Sequence, residues 1–125
     1  MIVWKVINWG SRTSIFTRGD MCVKYEKGQK TCAPIKMSPL FAFSSEAIAI
    51  SWCCNRVPFG KVIKCRARRF RSRRVSPNFI PNTRFYSKKE ITSFWRNRPN
   101  LIESDGNYWP VAIGTVLCES ITPLE

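Results

Sequence analysis

Residues 61–68 read Lys-Val-Ile-Lys-Cys-Arg-Ala-Arg, and they alternate. In an extended chain Ile63, Cys65 and Ala67 fall on one side, and Lys64, Arg66 and Arg68 on the other. A period of two belongs to a β-strand, because successive side chains there leave opposite faces; a helical twist would mix the two sets. The apolar side demands a core and the cationic side demands water. That combination is the mark of a half-buried strand in an antiparallel sheet. The rest of the chain must supply neighbours for the strand's edges and apolar groups for its inner face.

The flanking sequence supplies both. Residues 1–8 are apolar and rich in β-formers, Trp9-Gly10-Ser11 signals a turn, and residues 12–17 resume β-prone chemistry before a second turn at Arg18-Gly19-Asp20. Residues 22–32 predict a hairpin with the loop Glu26-Lys27-Gly28, whose last position needs a left-handed backbone that glycine provides. That register sets Tyr25 against Gln29, Lys24 against Lys30, Val23 against Thr31 and Cys22 against Cys32. Pro34 and Pro39 bracket a loop, and Leu40-Phe41-Ala42-Phe43 reads as a short buried strand. Ser44 or Ser45 can cap a helix carrying Glu46 in its first turn, apolar at Ala47, Ile48, Ala49, Ile50 and Trp52, and ended by Asn55 and Pro58. Ser87 and Glu90 form a capping box for a second helix with Ile91, Phe94 and Trp95 as its stripe and Pro99 as its stop. Ser104-Asp105-Gly106-Asn107 is a turn, and residues 111–121 are a final β-rich segment. The expected fold is α+β: a mainly antiparallel β-sheet with two short helices on one side, in a single globular domain over residues 1–125. A chain of 125 residues, 44% hydrophobic, can bury a core without staples.

Charge is segregated along the chain. Residues 56–98 hold fourteen of the 21 Lys and Arg and only one acid, Glu90, whereas residues 99–125 hold four acids and no cation. The densest part is the basic strand and arm at 61–76. Eight cations fall within 61–74, six of them Arg, the better fork for phosphate or carboxylate. Lys64, Arg66, Arg68, Arg69, Phe70, Arg71, Arg73 and Arg74 are the candidate partner-binding residues, with Phe70 and nearby Phe79 available to stack on bases. The expected partner is an acidic protein surface, such as that of a capsid protein, or nucleic acid. The bland alternative is a solvated face.

Other chemistry is constrained by what is missing. The chain has no His, which removes the Ser-His-Asp triad, the Cys-His pair and mixed Cys/His metal sites together. Its acids are scattered, and no C-x-x-C occurs. No catalytic residue, metal or cofactor is therefore expected, and the protein is read as non-enzymatic. Arg12-Thr13-Ser14 with a Glu elsewhere leaves a nucleotide-binding or ADP-ribosyl-transfer-like enzyme as a minor alternative. The six cysteines are flanked by Val, Ile, Trp and Leu, as buried free thiols are. The first residues run straight into a strand-like pattern with no leader, and no stretch is apolar for long enough to span a membrane, so secretion is not expected.

Seven short pieces in order, Trp4-Lys5-Val6-Ile7, Arg12-Thr13-Ser14, Tyr25-Glu26-Lys27-Gly28, Leu40-Phe41-Ala42-Phe43, Ile63-Lys64-Cys65, Phe94-Trp95 and Gly114-Thr115-Val116-Leu117, extend over most of the chain. Together they resemble a group of small uncharacterised proteins of large DNA viruses, Marseillevirus-like and related giant viruses, with similar ones in some phages. The resemblance implies a viral protein of the virion, the host cytoplasm or the viral factory, and it supplies no site residues. The Arg-rich run is not part of the shared pattern. The expectation that follows is a structural protein, a minor capsid component of a larger assembly, engaging acidic capsid protein or genome. A soluble nucleic-acid-binding viral protein is the alternative.

Overall fold

The computed structural model describes residues 1–15, 22–35, 38–70, 79–81, 89, 92, 108–110 and 113–125. The described strands are β1 (Ile2–Asn8), β2 (Thr31–Cys32), β3 (Leu40–Phe43), β4 (Gly60–Arg69), β5 (Phe79–Pro81), β6 (Tyr108–Pro110) and β7 (Thr115–Pro123), and the helix described along its whole length is α1 (Glu46–Arg56). The main sheet runs β2-β7-β3-β1-β4, and β4 also pairs with β7. That last pairing closes β1, β3, β7 and β4 on themselves, and every pairing is antiparallel. β5 and β6 form a separate antiparallel pair.

The expectation of a mainly antiparallel sheet is met, but the sheet is a small closed barrel and not an open layer with helices on one side. Closure pairs most of the edge that four strands would otherwise leave open, with β7 joining β4 over Cys65 to Arg69. Of the second expected helix only Lys89 and Thr92 are described, both helical. Its cap at Ser87 and its stripe at Ile91, Phe94 and Trp95 lie outside the described residues.

β1 and β4 pair over seven residues, from Ile2 opposite Arg66 to Asn8 opposite Gly60. One phase of this pair, Val3, Ile7, Ile63, Cys65 and Ala67, faces a core shared with Leu40, Ala42, Cys118, Ile121 and the fully buried Tyr25. In the other phase Trp4, Val6 and Val62 pack with Phe43 under α1. β1 is thus covered on both sides, which is why apolar residues occupy both of its phases, interrupted only by Lys5 before Asn8, where β4 alternates.

α1 presents Ala49 and Cys53, one turn apart and buried, with Ile48 and Trp52 beside them. Ser45 is its N-cap, accepting from the Ile48 amide at 3.5 Å. The helix returns to the sheet at Gly60, where a Cβ would stand 2.7 Å from Val57 Cγ1 and 2.8 Å from Cys53 Sγ.

β7 carries a bulge. Arg68 pairs with Ser120 and Arg69 with Cys118, leaving Glu119 without a partner residue on β4. Cys118 and Ile121 are three residues apart, so strict alternation would put them on opposite faces. The extra residue shifts the phase, and both enter the core.

The expected hairpin at 22–32 forms its turn but not its ladder. Gly28 has φ +78° and the Gln29 amide donates to the Glu26 carbonyl at 3.1 Å. Beyond the turn the two arms are joined by the Thr31 hydroxyl, which donates to the Lys24 carbonyl at 3.0 Å, while their backbones pair elsewhere. Lys24 bridges Thr13, while Thr31 and Cys32 pair with Ile121 and Ser120 of β7. The open edge of β7 beyond β3 offers its backbone groups and takes the second arm. All six cysteines are free thiols: Cys53, Cys65 and Cys118 are buried, Cys22 is half-buried, and Cys32 and Cys54 are exposed. For the last two the expectation of burial does not hold, since one lies on a short edge strand and the other on the outer side of α1.

Candidate polyanion interface

β4 holds the candidate cations at fixed spacing. Lys64, Arg66 and Arg68 alternate with the buried Ile63, Cys65 and Ala67 and are exposed on the outside of the barrel. Side chains two apart on a strand are roughly 6.6–6.8 Å apart, a spacing comparable to that of phosphates along an extended nucleic-acid strand. Arg66 stands at the centre, opposite Ile2 on β1 and Thr122 on β7, neither charged. Because the strand is hydrogen-bonded on both sides there, the cations sit on a rigid surface. Arg69 ends β4 and is exposed; Phe70 follows, half-buried, its amide donating to the Leu117 carbonyl at 3.0 Å. Arg71, Arg73 and Arg74 lie outside the described residues, as does the Phe79 side chain.

The sequence places no acid near this run, but the fold brings two. Glu119, on the bulge, pairs with Arg68 at 3.4 Å, with both side chains more than half exposed. An exposed pair of this kind contributes about 0–1 kcal/mol and holds Arg68 only weakly. Glu125 Oε1 accepts from the Lys64 amide at 2.7 Å, which leaves the Lys64 amine uncommitted. Among the described residues Lys64, Arg66 and Arg69 have no carboxylate against their charged ends.

Two further cations lie against indoles. Lys61 Nζ is 3.6 Å from the centre of the Trp9 ring, and the Arg56 guanidinium is 5.8 Å from that of Trp52. Strand pairing brings Lys61 to Trp9 from far along the chain, whereas Trp52 and Arg56 stand four apart on α1, a spacing that the helix itself makes adjacent.

Arg12, the residue of the minor enzymatic alternative, serves as an internal clamp. Its backbone is left-handed at φ 56°, its Nε donates to the Tyr25 carbonyl and its Nη2 to the Glu125 carbonyl, each at 2.8 Å.

A second cluster of titratable groups lies in the barrel. The Lys5 amine donates to the Phe41 carbonyl and sits 5.2 Å from the centre of the Tyr25 ring. Burial lowers its pKa from 10.5 to about 8, against a smaller opposing effect of the neighbouring Cys118 and Cys65. The same burial raises Cys65 to about 12 and Cys118 to about 11. Tyr25 is also raised, chiefly by burial; Ser14 stands close enough to ease that shift without completing a hydrogen bond to the phenol. Both thiols are therefore held protonated at neutral pH and are poor nucleophiles or metal ligands. Among the described residues no three Cys, Asp or Glu side chains group as a metal site would require, and no helix is long and apolar enough to cross a membrane.

A scan against protein-family models and searches of the curated proteins and of the solved structures find no match to this chain.

Proposed function

We propose that this chain is a non-enzymatic binding protein that holds an acidic partner against the outer face of β4. Lys64 and Arg66 make the principal contacts there, Arg68 is shared between the partner and Glu119, and the exposed Arg69 at the strand's end adds a cation from the opposite phase. The observation that carries this reading is the row of exposed cations on a strand whose opposite face is locked in the core. The net charge of +13 favours any polyanion that comes near and adds to the local contacts. The resemblance to proteins of large DNA viruses supports a place as a minor component of a virus particle, where the partner is the genome or an acidic capsid protein.

The test is the triple variant Lys64→Ala, Arg66→Ala, Arg69→Ala, titrated with a duplex oligonucleotide over a range of salt. For each phosphate that is no longer neutralised, the slope of log affinity against log salt should fall by about 0.9. Stability should change by no more than about 0.5 kcal/mol per site, because these side chains are exposed. In a particle, the variant should fold but fail to incorporate. An unchanged slope together with normal incorporation would make the row a solvated face.

A further inference from the structure

The β1–β4 ladder ends at Asn8 opposite Gly60, but the chains stay together one step further. The Trp9 amide donates to the Phe59 carbonyl at 3.1 Å. Trp9 and Phe59 thus continue the register as an opposed pair, and opposed residues of an antiparallel pair send their side chains to the same side. Both are in solvent: Trp9 is 51% exposed and Phe59 84%. Lys61 lies in the same phase, braced over the Trp9 ring. Gly10, next along, faces open space.

A single exposed aromatic residue needs no explanation. Two opposed aromatics, one braced by a cation, are a different matter beside a strand of exposed cations. Ring faces carry negative charge, so they offer nothing to the carboxylates of an acidic protein. Nucleobases stack on them, and binding of single strands is built from such stacking together with cations along the backbone. A duplex keeps its base faces covered by its own stacking, so the platform selects unpaired bases. The platform shares a phase with the barrel interior, while Lys64 and Arg66 are on the outer side. β7 joins β4 only from Cys65 onward, so among the described ladders the second edge of β4 is open at 60–63. A strand can pass round that edge from the outer cations to the aromatic pair.

We propose that Trp9 and Phe59 form a stacking platform for unpaired bases, and that the acidic partner is single-stranded nucleic acid. This rests on the reading of β4 as the polyanion-binding strand and names its partner. The test measures the full-length chain with a fluorescent oligothymidylate, with a duplex of the same length and with polyglutamate, each across a salt series. Phe59→Ala and Trp9→Ala should each weaken oligothymidylate binding by about tenfold or more. The salt slope should stay the same, because every cation is still in place, and duplex affinity should not change. Phe59→Tyr should bind as the parent does. The Lys64, Arg66 and Arg69 triple variant should instead lower the slope, by about 0.7 for each phosphate it ceases to neutralise on a single strand. Normal oligothymidylate binding by both aromatic variants, with a weakened cation variant, would overturn the platform and leave the role of β4 standing. Equal losses on polyglutamate would also overturn it, identifying the pair as a protein-docking patch. A parent chain that binds none of the three probes would bring down the reading of β4 and the platform with it.

Discussion

Lys5 is an ammonium group placed inside a barrel of four strands. One carbonyl and one ring face stand in for the water it loses, and these do not fully offset its desolvation, so its pKa drops from 10.5 to about 8. Between those values the unfolded chain holds a proton that the folded chain does not, so stability rises with pH. The thiols act in the opposite sense. Cys65 and Cys118 keep their protons to about 12 and 11 in the fold against 9.0 outside it, so each makes stability fall as pH climbs above about 9. One rising group meets two falling ones, and their combined contribution should peak near pH 9. Lys5→Met should remove the rise, which is on the order of 3 kcal/mol if the full shift is realised. The fall above pH 9 should remain. Urea unfolding of both proteins at intervals from pH 7 to 10 reads the difference directly.

At the scale of elements, the contact between α1 and β4 depends on a missing side chain. The helix ends at Arg56, and the chain has only three residues before Gly60 begins the strand. In that space the strand backbone passes directly beneath Val57 and Cys53. A methyl group at Gly60 would meet both at under 3 Å, and both neighbours are buried and cannot swing away into solvent. Gly60→Ala should therefore cost about 1–3 kcal/mol as overpacking, the reverse of the usual gain from replacing glycine in a strand. Thermal or urea denaturation measures it. The bulge at Glu119 is a second device of this kind. It turns Cys118 and Ile121 into the same core, and it carries the carboxylate that meets Arg68.

For the molecule as a whole, the net charge of +13 works against compactness, since the cations repel more strongly in the folded chain than in the expanded one. Screening should relieve this. The melting temperature should rise as sodium chloride is raised from about 10 to 500 mM, over which the Debye length shrinks from about 30 Å to a few ångströms. A polyanion that binds the folded state should raise it further at low salt, in proportion to its occupancy. Calorimetry or dye-monitored melting with and without the oligothymidylate gives both numbers. A melting temperature indifferent to salt would show the cations to be already compensated within the fold.

Much of this protein is set by local chemistry and is legible without a structure. Alternation at 61–68 specifies a strand with a dry face and a cationic face, because the pleat leaves only two directions for a side chain. Ser45 and Glu46 begin the helix, because the first amides need an acceptor and favour negative charge. Gly28 turns the chain, because a left-handed residue is needed there. These forces act within a few residues, so a window of sequence contains them. The pairing of strands distant in the chain is a different problem. Residues 22–32 satisfy a hairpin pattern, yet Thr31 and Cys32 pair with β7, whose open edge wins them. The passage of Lys5 into the barrel, the two carboxylates beside the basic strand and the pairing of Trp9 with Phe59 are of the same kind. Each depends on which backbone edges and which interior volume remain once the barrel has closed, and only the tertiary structure decides that.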